Sequence, residues 1–219
     1  MIERAQRAPI TLIGLIAAWL GLWGAWVPSS TASLSQNLFY LAEWSTFLPG
    51  VRSGEIRLAP EVLRLAAALA VAALILAAED IHRGWVRWLV RIGLAVPVII
   101  VLMPPYPDFL HLWWSPSYGA RFGADSVLAL ALVASLFVGR LAALGRRIGV
   151  AALCGLALAA AILGLIYLLP PFQADYATPL GAGWGLAAFF AGLIVAALAQ
   201  AAPSSRPGEN KTGQLSDPL

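Results

Sequence analysis

The sequence predicts an all-α protein: a polytopic integral membrane bundle of six transmembrane helices in three hairpins, with an amphipathic helix on the outer face. Three observations predict it. Only 11% of the 219 residues are charged while 60% are hydrophobic, whereas a soluble domain carries roughly 25% charged residues. Six apolar segments approach the roughly 20 residues that a helix needs to cross a bilayer core. Arginine and lysine, finally, are spread unevenly between the two ends of those segments, which sets orientation.

The segments are 9–27, 60–78, 86–103, 122–139, 148–169 and 179–201. The first carries Trp19, Trp23 and Trp26 in an apolar run that continues to Val27. Its basic start and the following small residues "STAS" also fit a cleaved signal peptide, but the length of the run favours a retained helix. The second, "LRLAAALAVAALILAA", has no charge after Arg64. The third contains Arg91, expected to snorkel to the interface along its own stem, and Pro97, expected to kink the helix. Residues 1–202 thus make one transmembrane domain. The tail, 203–219, is polar, rich in proline and glycine and without periodicity, as disordered segments are.

With the N-terminus, the loops 79–87 and 140–147 and the tail on the cytoplasmic side, that side holds Arg4, Arg7, Arg83, Arg87, Arg91, Arg140, Arg146, Arg147, Arg206 and Lys211. The opposite side holds Arg52, Arg57, Arg64 and Arg121. The imbalance predicts both termini in the cytoplasm. High alanine, leucine and arginine with a single lysine fit a bacterial-type plasma (inner) membrane.

Between the first two spans, Leu34, Leu38, Phe39 and Leu41 recur at helical spacing, with Ser33 as N-cap and Pro49-Gly50 as the stop. Residues 34–48 therefore read as an amphipathic helix lying on the membrane or capping the bundle. Glu43 is its only charge, either solvated or facing a cavity. Glu55, Arg57, Glu61 and Arg64 follow, at spacings that allow local pairing of little energetic weight.

Two stretches repeat. "LMPPYPDF" from Leu102 resembles "LLPPFQADY" from Leu168, and "GARFG" from Gly119 resembles "GAGWG" from Gly181. The third and fourth spans then correspond to the fifth and sixth, as parallel repeats do in some transport proteins. Proline ends helices, aromatic rings sit at headgroup depth, and the pairs Gly119/Gly123 and Gly181/Gly185 are expected to let a neighbouring helix approach.

Most of the outer stretch 104–125 is accounted for in this way. It leaves Asp108, His111, Arg121 and Asp125. Asp108 and His111, three apart after Pro107, would set a carboxylate beside an imidazole, a base-and-orienter pair; an acid also simply favours a helix N-terminus. With Glu43 and Asp175 these form a candidate outer-face polar site. On the cytoplasmic side Arg83, Arg87 and Arg91 recur every four residues beside Trp85 and Trp88, as a contact for anionic headgroups or a protein partner.

Other chemistries lack their residues. The chain has no Walker lysine motif, no zinc-protease helix, no nucleophile elbow and no paired cysteines, so neither a nucleotide, a metal nor another cofactor is expected. Its net charge of +3 resides in positive-inside loops and predicts no nucleic-acid partner. His82 and His111 fall on opposite sides of the bilayer, which excludes paired haem ligation within the chain. Cys154 is a lone cysteine inside an apolar run, a small buried hydrophobe. The middles of the spans carry no acids or bases, which argues against an ion-coupled pump. The expected function is that of an integral membrane subunit or scaffold of a larger complex, such as a transport assembly, with the bilayer and a membrane protein (or a second copy) as partners. The alternative is an outer-leaflet enzyme, a transferase or hydrolase acting on lipid-linked substrates.

Overall fold

The computed structural model describes residues 4–28, 35–53, 55–56, 59–81, 84–103, 116–138, 142–176 and 181–202. Among these the chain is all-helical: α1 Arg4–Trp23, α2 Leu38–Ser45, α3 Pro49–Arg52, α4 Ala59–Ala77, α5 Gly84–Leu102, α6 Pro116–Leu136, α7 Ala143–Tyr176 and α8 Trp184–Ala201. A single 3-10 turn, Ala78–Asp80, extends α4, and an isolated bridge pairs Val27 with Gln36. The tail beyond Ala202, Ser33 and Leu34, and residues 104–115 with Pro107, Asp108 and His111, lie outside the described residues.

Four helices, α4, α5, α7 and α8, are long and apolar enough to cross a membrane. The remaining two long ones, α1 and α6, carry Arg7 and the pair Arg121/Asp125 within similar lengths. In the fold Arg7 and Asp125 are buried inside the protein.

The boundaries follow local physics. The first span was expected at 9–27, but α1 runs from Arg4 to Trp23. It stops there because the backbone at 25–27 is engaged elsewhere: Trp26 and Val27 donate to the Gln36 carbonyl, while Gly183 and Gly185 donate to the Trp26 and Ala25 carbonyls. The helix expected at 34–48 is the shorter α2. Its N-cap is Asn37, whose side chain accepts from the Tyr40 amide at 2.9 Å, as a strong capping residue does. Leu38, Phe39, Leu41 and Ala42 are buried, and the helix caps the end of α4. Pro49, expected as a stop, instead occupies the first turn of α3, where its missing N–H does no harm.

The fifth span was expected to end at its Pro-Pro pair. Instead α7 continues through Pro170 and Pro171 to Tyr176, giving a helix about 51 Å long. Two prolines forfeit two backbone hydrogen bonds and crowd the preceding turn, yet the backbone stays helical through both.

Each sequential pair packs, α1 on α4, α5 on α6 and α7 on α8. The most extensive contacts are α1 on α8 and α4 on α7, with α4 central and mostly buried. Both pairs run antiparallel. Along the first, a Cβ on Gly14 would lie 2.7 Å from the Gly192 carbonyl oxygen, and a Cβ on Gly21 would lie 2.6 Å from the Phe189 amide nitrogen. Glycines seven apart on each helix thus bring two backbones into contact. The glycines expected to do so in the repeat behave unequally. A Cβ on Gly185 would sit 2.4 Å from Gly24 backbone, whereas one on Gly123 would meet nothing within 4 Å.

The fold sorts charges to the two ends of the bundle. One end gathers Glu43, Glu61, Arg64, Arg121 and Asp125. The other gathers Glu79, Arg87 and Arg91, with Arg7 and Arg147 bound to the last carbonyls of α8. Between them the helices are apolar.

Candidate functional site

Arg64 and Arg121 lie near the starts of α4 and α6, and Glu43 lies on α2, directly over them. Arg64 Nη2 donates to Glu43 Oε2 at 2.9 Å, and Arg121 Nη2 donates to the same oxygen. Beneath, Asp125 Oδ2 is 3.5 Å from Arg64 Nη1 and 3.8 Å from Arg121 Nε. Glu61 Oε1 lies 3.9 Å from Arg64 Nη1. Two guanidiniums from neighbouring helices therefore stand between three carboxylates from three helices.

Depth differs sharply across the cluster. The side chains of Asp125, Arg64 and Arg121 are 1%, 4% and 15% exposed, while that of Glu43 is 38% exposed. Asp125 is held by charge alone: neither of its oxygens accepts a hydrogen bond among the described residues. With all five groups ionised, the cluster carries one excess negative charge, and its most accessible group is Glu43.

Glu43, Arg64 and Arg121 line a cavity of about 460 Å³, within the size range of small-molecule sites. Trp23, Phe39 and Tyr40 form one aromatic side of it, and the last turn of α5 with Met103 forms an apolar side. Trp23 and Phe39 pack with ring centroids 5.0 Å apart. The cavity is thus amphipathic, charged at one wall and greasy at another.

Of the candidate outer-face residues, the structure brings Glu43, Arg121 and Asp125 together. Asp175 lies near the end of α7, and Asp108 and His111 lie outside the described residues. The cluster also recruits Arg64 and Glu61, which the sequence offered only as a local pair, and the aromatic wall from Trp23, Phe39 and Tyr40. A legible signal was the position of Arg64 and Arg121, each about one turn inside an apolar helix where an unpaired charge is costly.

At the opposite end, Arg91 does not snorkel. Its side chain is 3% exposed and paired with Glu79. It also donates to the Ile75 carbonyl at 3.2 Å and the Leu136 carbonyl at 3.1 Å, tying α5 to the ends of α4 and α6. Arg87 pairs with the other Glu79 oxygen at 3.2 Å. Both guanidiniums turn toward Glu79, and Arg83 lies outside the described residues. No group of three or more histidine, cysteine or acidic residues among the described residues is arranged to hold a metal ion. No known protein family, curated protein or solved structure matches the chain.

Proposed function

We propose that this is an integral membrane protein that binds an amphiphile in the cavity between α2, α4, α5 and α6, and that it does so as a subunit of a larger membrane assembly. The observation that carries the reading is the two-sided wall of that cavity. An apolar helix end opposite an ionic cluster matches a molecule with a hydrocarbon part and a polar head. The topology that goes with it is six spans, α1, α4, α5, α6, α7 and α8, in a bacterial-type inner membrane with both termini cytoplasmic. The cavity then opens at the outer leaflet.

Membership of an assembly is supported by small residues on outward faces. A Cβ on Gly93 in α5 or Gly155 in α7 would meet nothing within 4 Å among the described residues, and such positions in lipid-facing helices admit a partner helix closely. Purification in a mild detergent followed by native mass spectrometry tests both parts. A bound lipid-like mass lost on Val101→Trp, which fills the cavity, supports the amphiphile. Co-purifying membrane proteins or a defined oligomer support the assembly. A ligand-free monomer in every detergent would sink the proposal.

A second reading, an outer-leaflet enzyme on lipid-linked substrates, draws on the convergence of Glu43, Glu61 and Asp125. General acid–base work needs a carboxylate free to take a proton, and Glu43 and Asp125 each face two guanidiniums. Turnover of an added lipid-linked substrate, abolished by Glu43→Gln while the fold persists, would favour the enzyme.

A further inference from the structure

We propose that the amphiphile is cationic: an alkyl chain carrying an ammonium headgroup, with the ammonium seated at Glu43 among Trp23, Phe39 and Tyr40. The inference rests on reading the cavity as an amphiphile site and adds the sign of the head.

Two arginines beside a cavity suggest an anion at first sight, and the charge count decides against it. Arg64 and Arg121 each already face two carboxylates. Each places one Nη on Glu43 Oε2 and turns another nitrogen toward Asp125. An incoming anion would have to displace Glu43 and would then meet a neutral set, with Asp125 and Glu61 behind the guanidiniums. A cation needs no displacement. Among the described residues both arginine bonds fall on Oε2 and no hydrogen bond falls on Oε1. The cluster's excess negative charge is also the charge an ammonium would cancel.

The rings supply the second half of the site. Trp23, Phe39 and Tyr40 border the same cavity as Glu43. The negative faces of aromatic rings attract ammonium groups, tryptophan most strongly. A carboxylate with several rings is the combination that holds a quaternary ammonium, which offers no hydrogen bond and must be recognised by charge and ring faces. The chain would run along Ile100, Val101 and Met103.

The test uses the full-length protein transferred from detergent into amphipol, titrated calorimetrically with four probes below their micelle concentrations. These are decyltrimethylammonium, decyl maltoside, decyl phosphate and tetramethylammonium. Decyltrimethylammonium is expected to bind about ten-fold more tightly than decyl maltoside, the range of a desolvated cation–aromatic contact. That preference should fall toward one in Glu43→Gln, and should shrink in Tyr40→Leu, a change at a 60% exposed ring that leaves the core untouched. Equal binding of the cationic and neutral probes, or tighter binding of decyl phosphate, overturns the inference and leaves the amphiphile reading standing. Failure of every decyl probe to bind overturns both. Tetramethylammonium binding as tightly as its decyl counterpart keeps the ammonium site and removes the amphiphile.

Discussion

Gly21 of α1 and Gly185 of α8 meet backbone to backbone: a Cβ on Gly21 would lie 2.7 Å from the Gly185 carbonyl oxygen. No side-chain rotation relieves such a clash, because its partners are main-chain atoms. The same seam holds Gly14 against Gly192 and is tied by Gln200 Nε2 donating to Thr11 Oγ1 at 2.9 Å.

Gly21→Ala is therefore expected to lower stability by about 1–3 kcal/mol, the usual effect of overpacking a close contact. Gly123→Leu, at a position with open space around it, should leave the detergent melting temperature nearly unchanged. Melting curves of both purified variants check the order. A Gly123 variant that is the less stable of the two would restore the helix-packing role that the repeat suggested.

This contrast shows where the sequence was legible. The cores of α4, α5 and α8 stand out as uninterrupted apolar runs, because lipid demands a satisfied backbone and apolar side chains over a fixed length. Of the α1–α8 seam the string offered Gly185 alone, through its glycine pair; Gly14, Gly21 and Gly192 went unmarked, since they lie at opposite ends of the chain and glycine has no hydropathy to report. Arg91 posed a similar problem: whether it snorkels or turns inward depends on Glu79, which the sequence placed only in a cytoplasmic loop. Glu43 and Arg121, 78 residues apart, were each singled out without any local pattern to join them.

Glu79 accepts from both Arg87 and Arg91, and its side chain is 5% exposed. Glu79→Gln would strand the Arg91 guanidinium inside the protein, which for a buried pair typically costs about 3–5 kcal/mol. The double variant Glu79→Gln/Arg91→Met removes the stranded charge and should recover most of that loss. Double-mutant melting measurements give the coupling. Additive losses would mean that Glu79 and Arg91 act separately.

Arg147 donates to the Gln200 carbonyl at 2.8 Å and to the Ala202 carbonyl at 3.1 Å, and Arg7 donates to the same Ala202 carbonyl at 2.7 Å. Cations suit a helix C-terminus, where unpaired carbonyls concentrate negative charge. Arg147→Met should release the end of α8 while sparing the rest of the bundle. Hydrogen exchange of the last turn, around Leu198–Ala202, is expected to accelerate several-fold with little change at Leu186–Phe190. Uniform acceleration would argue for a global rather than a terminal effect.

Orientation is tested with single cysteines in a Cys154→Ala background, since the native thiol is fully buried. Six spans with both termini cytoplasmic predict that Ser115→Cys labels from outside intact cells and that Gly145→Cys labels only after permeabilisation. The basic residues near the second position favour the cytoplasm. Reversed labelling would invert the assignment, and labelling of both positions from one side would remove a span between them.

Arg64 is the hub of the ionic cluster, 4% exposed in its side chain and within 4 Å of Glu43, Glu61 and Asp125. Arg64→Met leaves Asp125 buried with Arg121 as its remaining counter-charge, 3.8 Å away. The expected loss is again about 3–5 kcal/mol, because a buried carboxylate loses the nearer of its two counter-charges, which costs more than a lost surface pair. Neutralising that carboxylate should reverse the effect, so Arg64→Met/Asp125→Asn is expected to be more stable than Arg64→Met alone. Glu43→Gln should be far milder, since Glu43 is the exposed member and its amide still accepts from both arginines. If Arg64→Met and Glu43→Gln destabilise equally, the cluster acts as a surface network, and the depth ordering from Asp125 outward to Glu43 has no energetic meaning.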